Sequence, residues 1–332
     1  MQADAHCVRL CYNQFNDMAK GENIMTAEQV LKDLYTDRVK KVIMDGDFSA
    51  EIDDQFTLAY CLGSEKIDIL SVNASAHYEE PMATDTEKVM LFSYGEMERT
   101  LRACRMIDFP HYEGARSQIS NNPGFAPTDS PAARNIIKTA LEAEEPLYVL
   151  VTGPCTNVVS ACLMEPAIMD KICVVWLGGH CIAKNIPHFH EWNLFADYAA
   201  AQYLMNLPVA VVMLPCDPVG SVMLHMNHQD LAMIEGDSEG AVFFRKTLPL
   251  QETTEEKYTS WRKIMCDFAA PATLTMPDAM ELSIIPAPVI TDDQSYAFDA
   301  TRKKILYMQN PDSDRIVPDG MRCINGLINR AE

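Results

Sequence analysis

The chain has 332 residues, of which 48% are hydrophobic and 22% are charged, and its formal net charge is -20. So large an acidic excess argues against nucleic acid as a partner, because the phosphate backbone would be repelled over most of the surface. No run of about 18 apolar residues occurs, so we expect no membrane-spanning helix.

The cysteines give an indication of the compartment. There are 11 of them, and no two form a CxxC pair. This pattern favours reduced thiols over a disulfide framework. The first 20 residues lack the basic and then apolar order of a secretory signal. We therefore expect a cytoplasmic protein.

Residues 1–38 are polar and helix-like, and we interpret them as a helical N-terminal extension that packs on a main domain spanning 39–332. From Val39 onward, short apolar runs alternate with helix-like segments. This alternation predicts an α/β fold with one mostly parallel, Rossmann-like central sheet and helices on both faces. The runs are "VKKVIM", "IDILSVNAS", "LYVLVTG", "ICVVWLGG" and "PVAVVMLP".

Polar residues follow the first four of these runs. Ligands of parallel sheets bind beyond the carboxyl ends of the strands, so these residues are the candidates for a functional site. A later carboxylate, Asp267, stands where a helix is predicted to begin. The candidates in chain order are Asp45, Asp47, Asp53, Asp54, Ser75, His77, Thr152, His180, Asn185, Glu191, Asn193 and Asp267.

The segment "DGDFSAEIDD" places five acidic residues within ten positions. Their mutual repulsion falls if a divalent cation binds among them, and hard oxygen ligands favour Ca²⁺ or Mg²⁺. Asp47, Asp54 and Asp267 could supply carboxylates, and Thr152 a carbonyl. A solvated acidic turn at a helix N-terminus is the alternative. Five acids at the end of a buried strand favour the metal site.

The same segment resembles the N-terminal aspartate signature of the calcium-dependent nucleoside hydrolases, the inosine-uridine-preferring family. Four later stretches resemble further motifs of that family in the same order, so the resemblance covers most of the chain. These stretches are "VLVTGPCTNVVSA", "WLGGH", "NIPHFHEWNLFADYAAAQ" and "CDFAAPATL".

The resemblance implies an enzyme that hydrolyses the N-glycosidic bond of a small-molecule ribonucleoside, a modified one included, to free base and ribose. It implies Ca²⁺ as the cofactor, a Ca²⁺-bound water activated by Asp47, a homodimer or homotetramer, and a place in nucleoside salvage. The implied Ca²⁺ ligands are Asp47, Asp54, Asp267 and the Thr152 carbonyl. The implied substrate-binding residues are Asp53, Ser75, His77, Asn185, Glu191, Asn193 and Asp267. The resemblance implies a supporting role for Asp45.

Two departures from the family pattern affect these assignments. Five residues separate Asp47 from Asp53 where the family has three, so Asp45 and Asp47 could exchange roles. Cys266 stands where many members carry a histidine that protonates the leaving base, and this makes His77 and His180 the candidate donors. The "HFH" segment contains His188 and His190. We interpret these two histidines as residues that line the sugar site, and we disfavour a role as a pair of zinc ligands.

Two alternatives come from other functional classes. A phosphatase of the haloacid-dehalogenase type would use Asp45 as its nucleophile together with Mg²⁺. That interpretation leaves the Glu-x-Asn segment and the pair Asp53 and Asp54 unexplained. The other alternative is a non-catalytic sugar- or nucleoside-binding protein of the same fold, which Cys266 favours and the retained carboxylates oppose.

Overall fold

The structure is a computed structural model that describes residues 24–76, 86–184, 190–217, 219–247 and 262–330. Its strands are β1 (Lys40–Gly46), β2 (Ile67–Ala74), β3 (His111–Tyr112), β4 (Leu147–Val151), β5 (Ile172–Leu177), β6 (Ala210–Leu214), β7 (His225–Asn227), β8 (Arg262–Ile264), β9 (Leu282–Pro286), β10 (Val289–Ile290), β11 (Tyr296–Ala297) and β12 (Lys304–Met308).

Helices connect most of these strands. They are α1 (Ala27–Leu34), α2 (Asp53–Gly63), α3 (Thr86–Ala103), α4 (Pro131–Glu142), α5 (Thr156–Met164), α6 (Trp192–Ala196), α7 (Tyr198–Asn206), α8 (Val219–Met223), α9 (His228–Leu231), α10 (Glu239–Thr247), α11 (Ala269–Thr275) and α12 (Ser313–Ile328). Short 3-10 helices occupy Ile119–Asn121, Pro123–Phe125, Pro166–Ile168, Ile182–Lys184, Cys266–Phe268 and Pro277–Ala279.

The central sheet has eight strands in the order β3-β2-β1-β4-β5-β6-β12-β9. Neighbouring strands are parallel except that β9 runs antiparallel to β12. Successive residues of β1 point to opposite sides: Val42 and Met44 belong to one hydrophobic core, and Ile43 belongs to the other. Helices therefore cover both faces of the sheet, which confirms the predicted α/β fold.

The position of the site follows from the strand order. From β1 the chain moves outward to β2 and β3, and then returns to the other side of β1 to form β4, β5 and β6. The order reverses between β1 and β4, and at such a switch point the loops beyond the strand ends diverge and leave a crevice.

The described part of the N-terminal region contains one helix, α1. The Thr26 hydroxyl accepts a hydrogen bond from the Gln29 N–H and caps its first turn. Val30 and Leu34 are buried on one face, and the Tyr148 hydroxyl donates to Asp33 at 2.7 Å. Residues 1–23 lie outside the described residues, so the domain boundary at residue 38 stays a prediction. In the described part of the chain, no helix has the length and apolar character needed to cross a membrane.

Candidate active site

A cavity of about 640 Å³ lies beyond the carboxyl ends of the central strands. The loops after β1, β4 and β6 contribute to its wall, together with the starts of α2 and α6 and the 3-10 helix at Cys266. Its lining residues are Asp47, Ala50, Glu51, Asp53, Asp54, Thr152, His190, Glu191, Trp192, Asn193, Cys216, Asp217, Ser221, Ile264, Cys266 and Asp267.

Four buried carboxylates meet in this cavity, those of Asp47, Asp53, Asp54 and Asp267. Asp53 Oδ2 accepts a hydrogen bond from the Asp267 N–H at 3.4 Å, which joins the start of α2 to the 3-10 helix. Asp54 Oδ1 accepts from Thr152 Oγ1 at 2.7 Å. The structure therefore brings together the acidic residues that the sequence singled out.

These carboxyl groups resist ionisation. Burial is the main reason that the pKa values of Asp47, Asp54 and Asp267 lie well above the ordinary range, and repulsion from neighbouring carboxylates adds to it. Burial also raises the pKa of Asp53, although the nearby Lys263 opposes that rise. A divalent cation would relieve the repulsion, and all four side chains offer the oxygen ligands that hard cations prefer. The donor set therefore fits such an ion.

Asp45 has different surroundings from Asp47. It is buried behind the cavity wall and accepts hydrogen bonds from Asn73 Nδ2 at 3.4 Å and from Asn157 Nδ2 at 3.2 Å. Burial raises the pKa of Asp45 to about 7. Since Asp47 lines the cavity and Asp45 does not, the geometry supports Asp45 as a supporting residue and disfavours it as a phosphatase nucleophile.

Asn193 links two strand ends. Its Nδ2 donates to the Thr152 carbonyl at 3.0 Å and to the Leu177 carbonyl at 2.9 Å. The two N–H groups of the amide are thus used by the protein, and Oδ1 is the atom that can accept a hydrogen bond from a ligand. The Thr152 carbonyl, which is the predicted metal ligand, keeps a second lone pair.

Glu191 caps the N-terminus of α6. Its carboxylate accepts hydrogen bonds from the N–H groups of Gly179 at 2.5 Å, Asn193 at 3.1 Å and Leu194 at 2.9 Å. Such a cap satisfies backbone donors that the helix itself leaves unpaired. Glu191 therefore holds Asn193 in place, and its predicted contact with a sugar hydroxyl stays a prediction.

Ser75 lies behind the wall of the cavity rather than on its surface. A Cβ atom on Gly153 would stand 2.7 Å from Ser75 Oγ and 3.0 Å from the Cγ atom of Asp47, so these three residues are closely packed. Ser75 is not among the lining residues. In this structure its position suits support of Asp47 better than direct contact with substrate.

The predicted histidines separate into three groups. His77 and His188, like Asn185, lie outside the described residues. His180 is buried, with its ring stacked on that of Tyr296 at 4.2 Å between centroids, and it does not line the cavity. Its predicted role as a proton donor has no support in this geometry. His190 lines the cavity, as we expected for a residue of the sugar site, and stacks on Phe195 at 4.3 Å.

Sequence reasoning missed the contribution of the loop after β6. Cys216 and Asp217 of that loop line the cavity, as do Ser221 of α8 and Ile264 of β8. The rule that located the other candidates, polar residues after an apolar run, would also have found Cys216 and Asp217 after "PVAVVMLP".

Comparison with known proteins places the chain in a family. Residues 42–314 match the family model described as inosine-uridine preferring nucleoside hydrolase. The pyrimidine-specific ribonucleoside hydrolase RihA of Escherichia coli O127:H6 is 26% identical over 186 residues, which are 52% of this chain and 60% of the relative. The chain thus spans about 60% of the length of the curated relatives that it matches.

Solved structures share the fold. The Inosine-Guanosine Nucleoside Hydrolase (IG-NH) superimposes with a TM-score of 0.67 at 14% identity, covering 88% of this chain and 99% of the other. The inosine-uridine preferring nucleoside hydrolase from Bacillus anthracis gives 0.64 at 16% identity, covering 86% and 99%. The purine-preferring ribonucleoside hydrolase from Gardnerella vaginalis gives 0.62 at 18% identity, covering 87% and 99%. Because the family model matches residues 42–314, which are most of the chain, the chain belongs to the inosine-uridine preferring nucleoside hydrolase family.

Proposed function

We propose that this protein hydrolyses the N-glycosidic bond of a ribonucleoside to free base and ribose, with Ca²⁺ as its metal. The observation that carries the proposal is the convergence of Asp47, Asp53, Asp54 and Asp267 in one cavity. A relative named as a ribonucleoside hydrolase supports the substrate class.

The proposed metal ligands are the carboxylates of Asp47, Asp54 and Asp267 and the carbonyl of Thr152. These groups come from three separate segments of the chain, and Ca²⁺ accommodates irregular sets of roughly 6–8 oxygen ligands. When bound, the cation would acidify a water molecule and hold the hydroxyl groups of the sugar.

The protein's own residues then divide the remaining work. Asp47 accepts the proton of the attacking water, a role that its position on the cavity wall allows. Asp53 and Oδ1 of Asn193 accept hydrogen bonds from ribose hydroxyls and fix the sugar against that water. As the bond to the base breaks, the sugar gains positive charge, which the surrounding carboxylates stabilise.

The test is a release assay over purine, pyrimidine and modified ribonucleosides, with free ribose as the readout and Ca²⁺ present. We expect ribose from at least one nucleoside and no phosphate from general phosphate esters. Ribose release should stop in excess chelator and return when Ca²⁺ is restored.

Two other results would contradict the proposal. Vigorous release of phosphate would support the phosphatase alternative. Tight binding of a nucleoside without any ribose release would support the non-catalytic alternative, which Cys266 at the proton-donor position favours.

Assembly and location extend the same proposal. We propose a cytoplasmic homodimer or homotetramer, as the family resemblance and the reduced cysteines indicate. Light scattering on the purified protein measures the assembly directly, and a monomeric mass would contradict that part.

A further inference from the structure

Two thiols lie at the edge of the acidic cluster, by which we mean the four buried carboxylates of Asp47, Asp53, Asp54 and Asp267. Cys216 follows β6 and Cys266 begins the 3-10 helix before α11, and both line the cavity. Their Sγ atoms lie 3.8 Å apart. Six other cysteines of the described residues pack instead within the two hydrophobic cores: Cys61, Cys104, Cys155, Cys162, Cys173 and Cys323.

Carboxylates complete the surroundings of this pair. The Sγ atom of Cys266 lies 3.3 Å from Asp53 Oδ2 and 3.9 Å from Asp267 Oδ1. One ligand atom each from Asp53, Cys266 and Asp267 lie within 4.8 Å of one another. Sulfur and oxygen donors therefore converge on one point of the cavity wall.

We propose that Cys216 and Cys266, together with Asp53 and Asp267, form a second cation site that takes a thiophilic divalent ion of the Zn²⁺ class. Tetrahedral zinc with bonds of about 2.3 Å to sulfur and about 2.1 Å to oxygen places two sulfurs about 3.8 Å apart, and sulfur and oxygen about 3.6 Å apart. The observed sulfur–sulfur distance of 3.8 Å matches the first value, and the two distances from Cys266 Sγ to carboxylate oxygens, 3.3 and 3.9 Å, lie on either side of the second. Cys216 lies outside the group of three ligands that are within 4.8 Å of one another, so it would join the ion through a movement of its side chain.

The ligand chemistry separates this site from the proposed Ca²⁺ site. Thiolate ligands select zinc and other soft ions, whereas Ca²⁺ takes oxygen. The carboxylates of Asp53 and Asp267 beside Cys266 also favour a cation, and the nearby Lys263 is paired with Glu51. Each thiol releases its proton as its bond to the metal forms, so binding should be weaker at low pH.

Occupation of this site would compete with catalysis. Asp267 is shared with the proposed Ca²⁺ ligands, and Asp53 with the proposed sugar contacts. A thiophilic ion should therefore inhibit ribose release, a consequence that rests on the proposed function. Binding of the ion does not depend on that function and can be measured separately.

The first experiment titrates the protein with Cd²⁺ and Zn²⁺. Cys7 and Cys11 are four residues apart in sequence and could bind soft ions themselves, so the reference protein carries Cys7→Ser and Cys11→Ser. We expect one equivalent of Cd²⁺ to produce the ultraviolet charge-transfer band of a cadmium–thiolate bond. Adding Cys216→Ser and Cys266→Ser should remove the band and weaken Zn²⁺ binding by more than the roughly 10–100-fold that loss of an outer-shell partner costs. Adding Cys181→Ser instead should change neither.

The second experiment needs no variant in the cavity. X-ray absorption of the zinc-loaded reference protein should show two sulfur atoms and lighter ligands around the metal. A shell of oxygen and nitrogen alone, or a cadmium band that survives Cys216→Ser and Cys266→Ser, would overturn the inference. Zinc binding through sulfur in a protein that releases no ribose would leave it standing while contradicting the hydrolase proposal.

Discussion

Asp45 and Asp47 are two residues apart, yet only Asp47 faces the cavity. We predict that Asp47→Asn lowers turnover of a ribonucleoside by about 10²–10⁴-fold, because it removes the proposed base. Asp45→Asn should cost less turnover but should lower the melting temperature, since the new NH2 group must stand opposite one of the two donors, Asn73 Nδ2 or Asn157 Nδ2. If turnover falls further in Asp45→Asn than in Asp47→Asn, the longer acidic loop has exchanged their roles.

The leaving base needs a proton, and Cys266 is a poor source. Its hydrogen bond with Cys216 and its burial raise the pKa of the thiol well above the ordinary value. His190 lines the same cavity, and a histidine is the side chain that most often transfers a proton in catalysis. We predict that Cys266→Ala changes turnover by less than about tenfold and that His190→Gln slows inosine or uridine cleavage by about 10²–10⁴-fold.

A second substrate, p-nitrophenyl riboside, provides the control for this prediction, because its nitrophenolate leaving group departs without a proton. Its hydrolysis by His190→Gln should stay close to that of the unmodified protein. Equal losses on both substrates would assign His190 to sugar binding. Loss of inosine cleavage in Cys266→Ala alone would make the thiol the acid.

At this scale the sequence predicted the residues that belong to continuous motifs. Five of these residues line the cavity in the structure: Asp47, Asp53, Asp54, Thr152 and Asp267. The cap formed by Glu191 could not be predicted, because its donors include Gly179, twelve positions away in the chain. The Cys216–Cys266 contact, fifty positions apart, has no sequence motif either.

At the scale of elements, the turn between β4 and α5 must pass very close to the acidic loop. A Cβ atom on Gly153 would lie 2.7 Å from Ser75 Oγ and 3.0 Å from the Cβ and Cγ atoms of Asp47. We predict that Gly153→Ala displaces Asp47 and lowers turnover by at least about tenfold, since small misplacements of reacting groups are costly. Turnover and melting temperature are the measurements.

Gly95 gives the matched control, because it is exposed within α3 and a Cβ atom there would meet nothing within 4 Å. Gly95→Ala should leave turnover unchanged and stabilise the protein by about 0.5–1 kcal/mol through better helix propensity. Normal turnover in Gly153→Ala would show that the loop accommodates the extra methyl group.

The five predicted strands of the parallel sheet begin and end within about two residues of their predicted positions. Short apolar runs rich in β-branched residues are typical of strands that are buried on both faces, which is why the sequence predicts them well. Helix α2 begins at Asp53 and so places two acids of the "DGDFSAEIDD" segment in its first turn. The antiparallel strand β9 and the two-stranded pairs β7–β8 and β10–β11 were not predicted. Their strands have only two to five residues, too short for a clear period.

For the whole molecule, the acidic cluster links stability to pH. Burial raises the folded-state pKa of Asp45 to about 7 and those of Asp47, Asp54 and Asp267 well above their ordinary values. Between the ordinary values near 4 and the raised values, the folded state therefore binds more protons than the unfolded state. Stability from these groups is fully present at low pH and is lost as pH rises through the folded pKa values.

Calcium should reverse this loss, because it binds the ionised carboxylates that repel one another in its absence. We predict that the metal-free protein gains thermal stability on going from pH 8 to pH 5.5. We also predict that Ca²⁺ at about 100 times its dissociation constant raises the melting temperature at pH 8 by about 4 °C. The rise should be smaller at pH 5.5, where protons compete with the cation for the same oxygens.

Matched variants locate this effect. Asp54→Asn should abolish the calcium-dependent rise at pH 8, since it removes a proposed ligand from the buried cluster. Asp278→Asn removes an exposed carboxylate that pairs with Arg315 and does not line the cavity, and it should keep the full rise. A calcium effect that is larger at pH 5.5, or one that survives Asp54→Asn unchanged, would place the bound cation outside the acidic cluster. Within the cluster, cation and proton compete for the same buried oxygens, so the calcium effect must be smaller at pH 5.5.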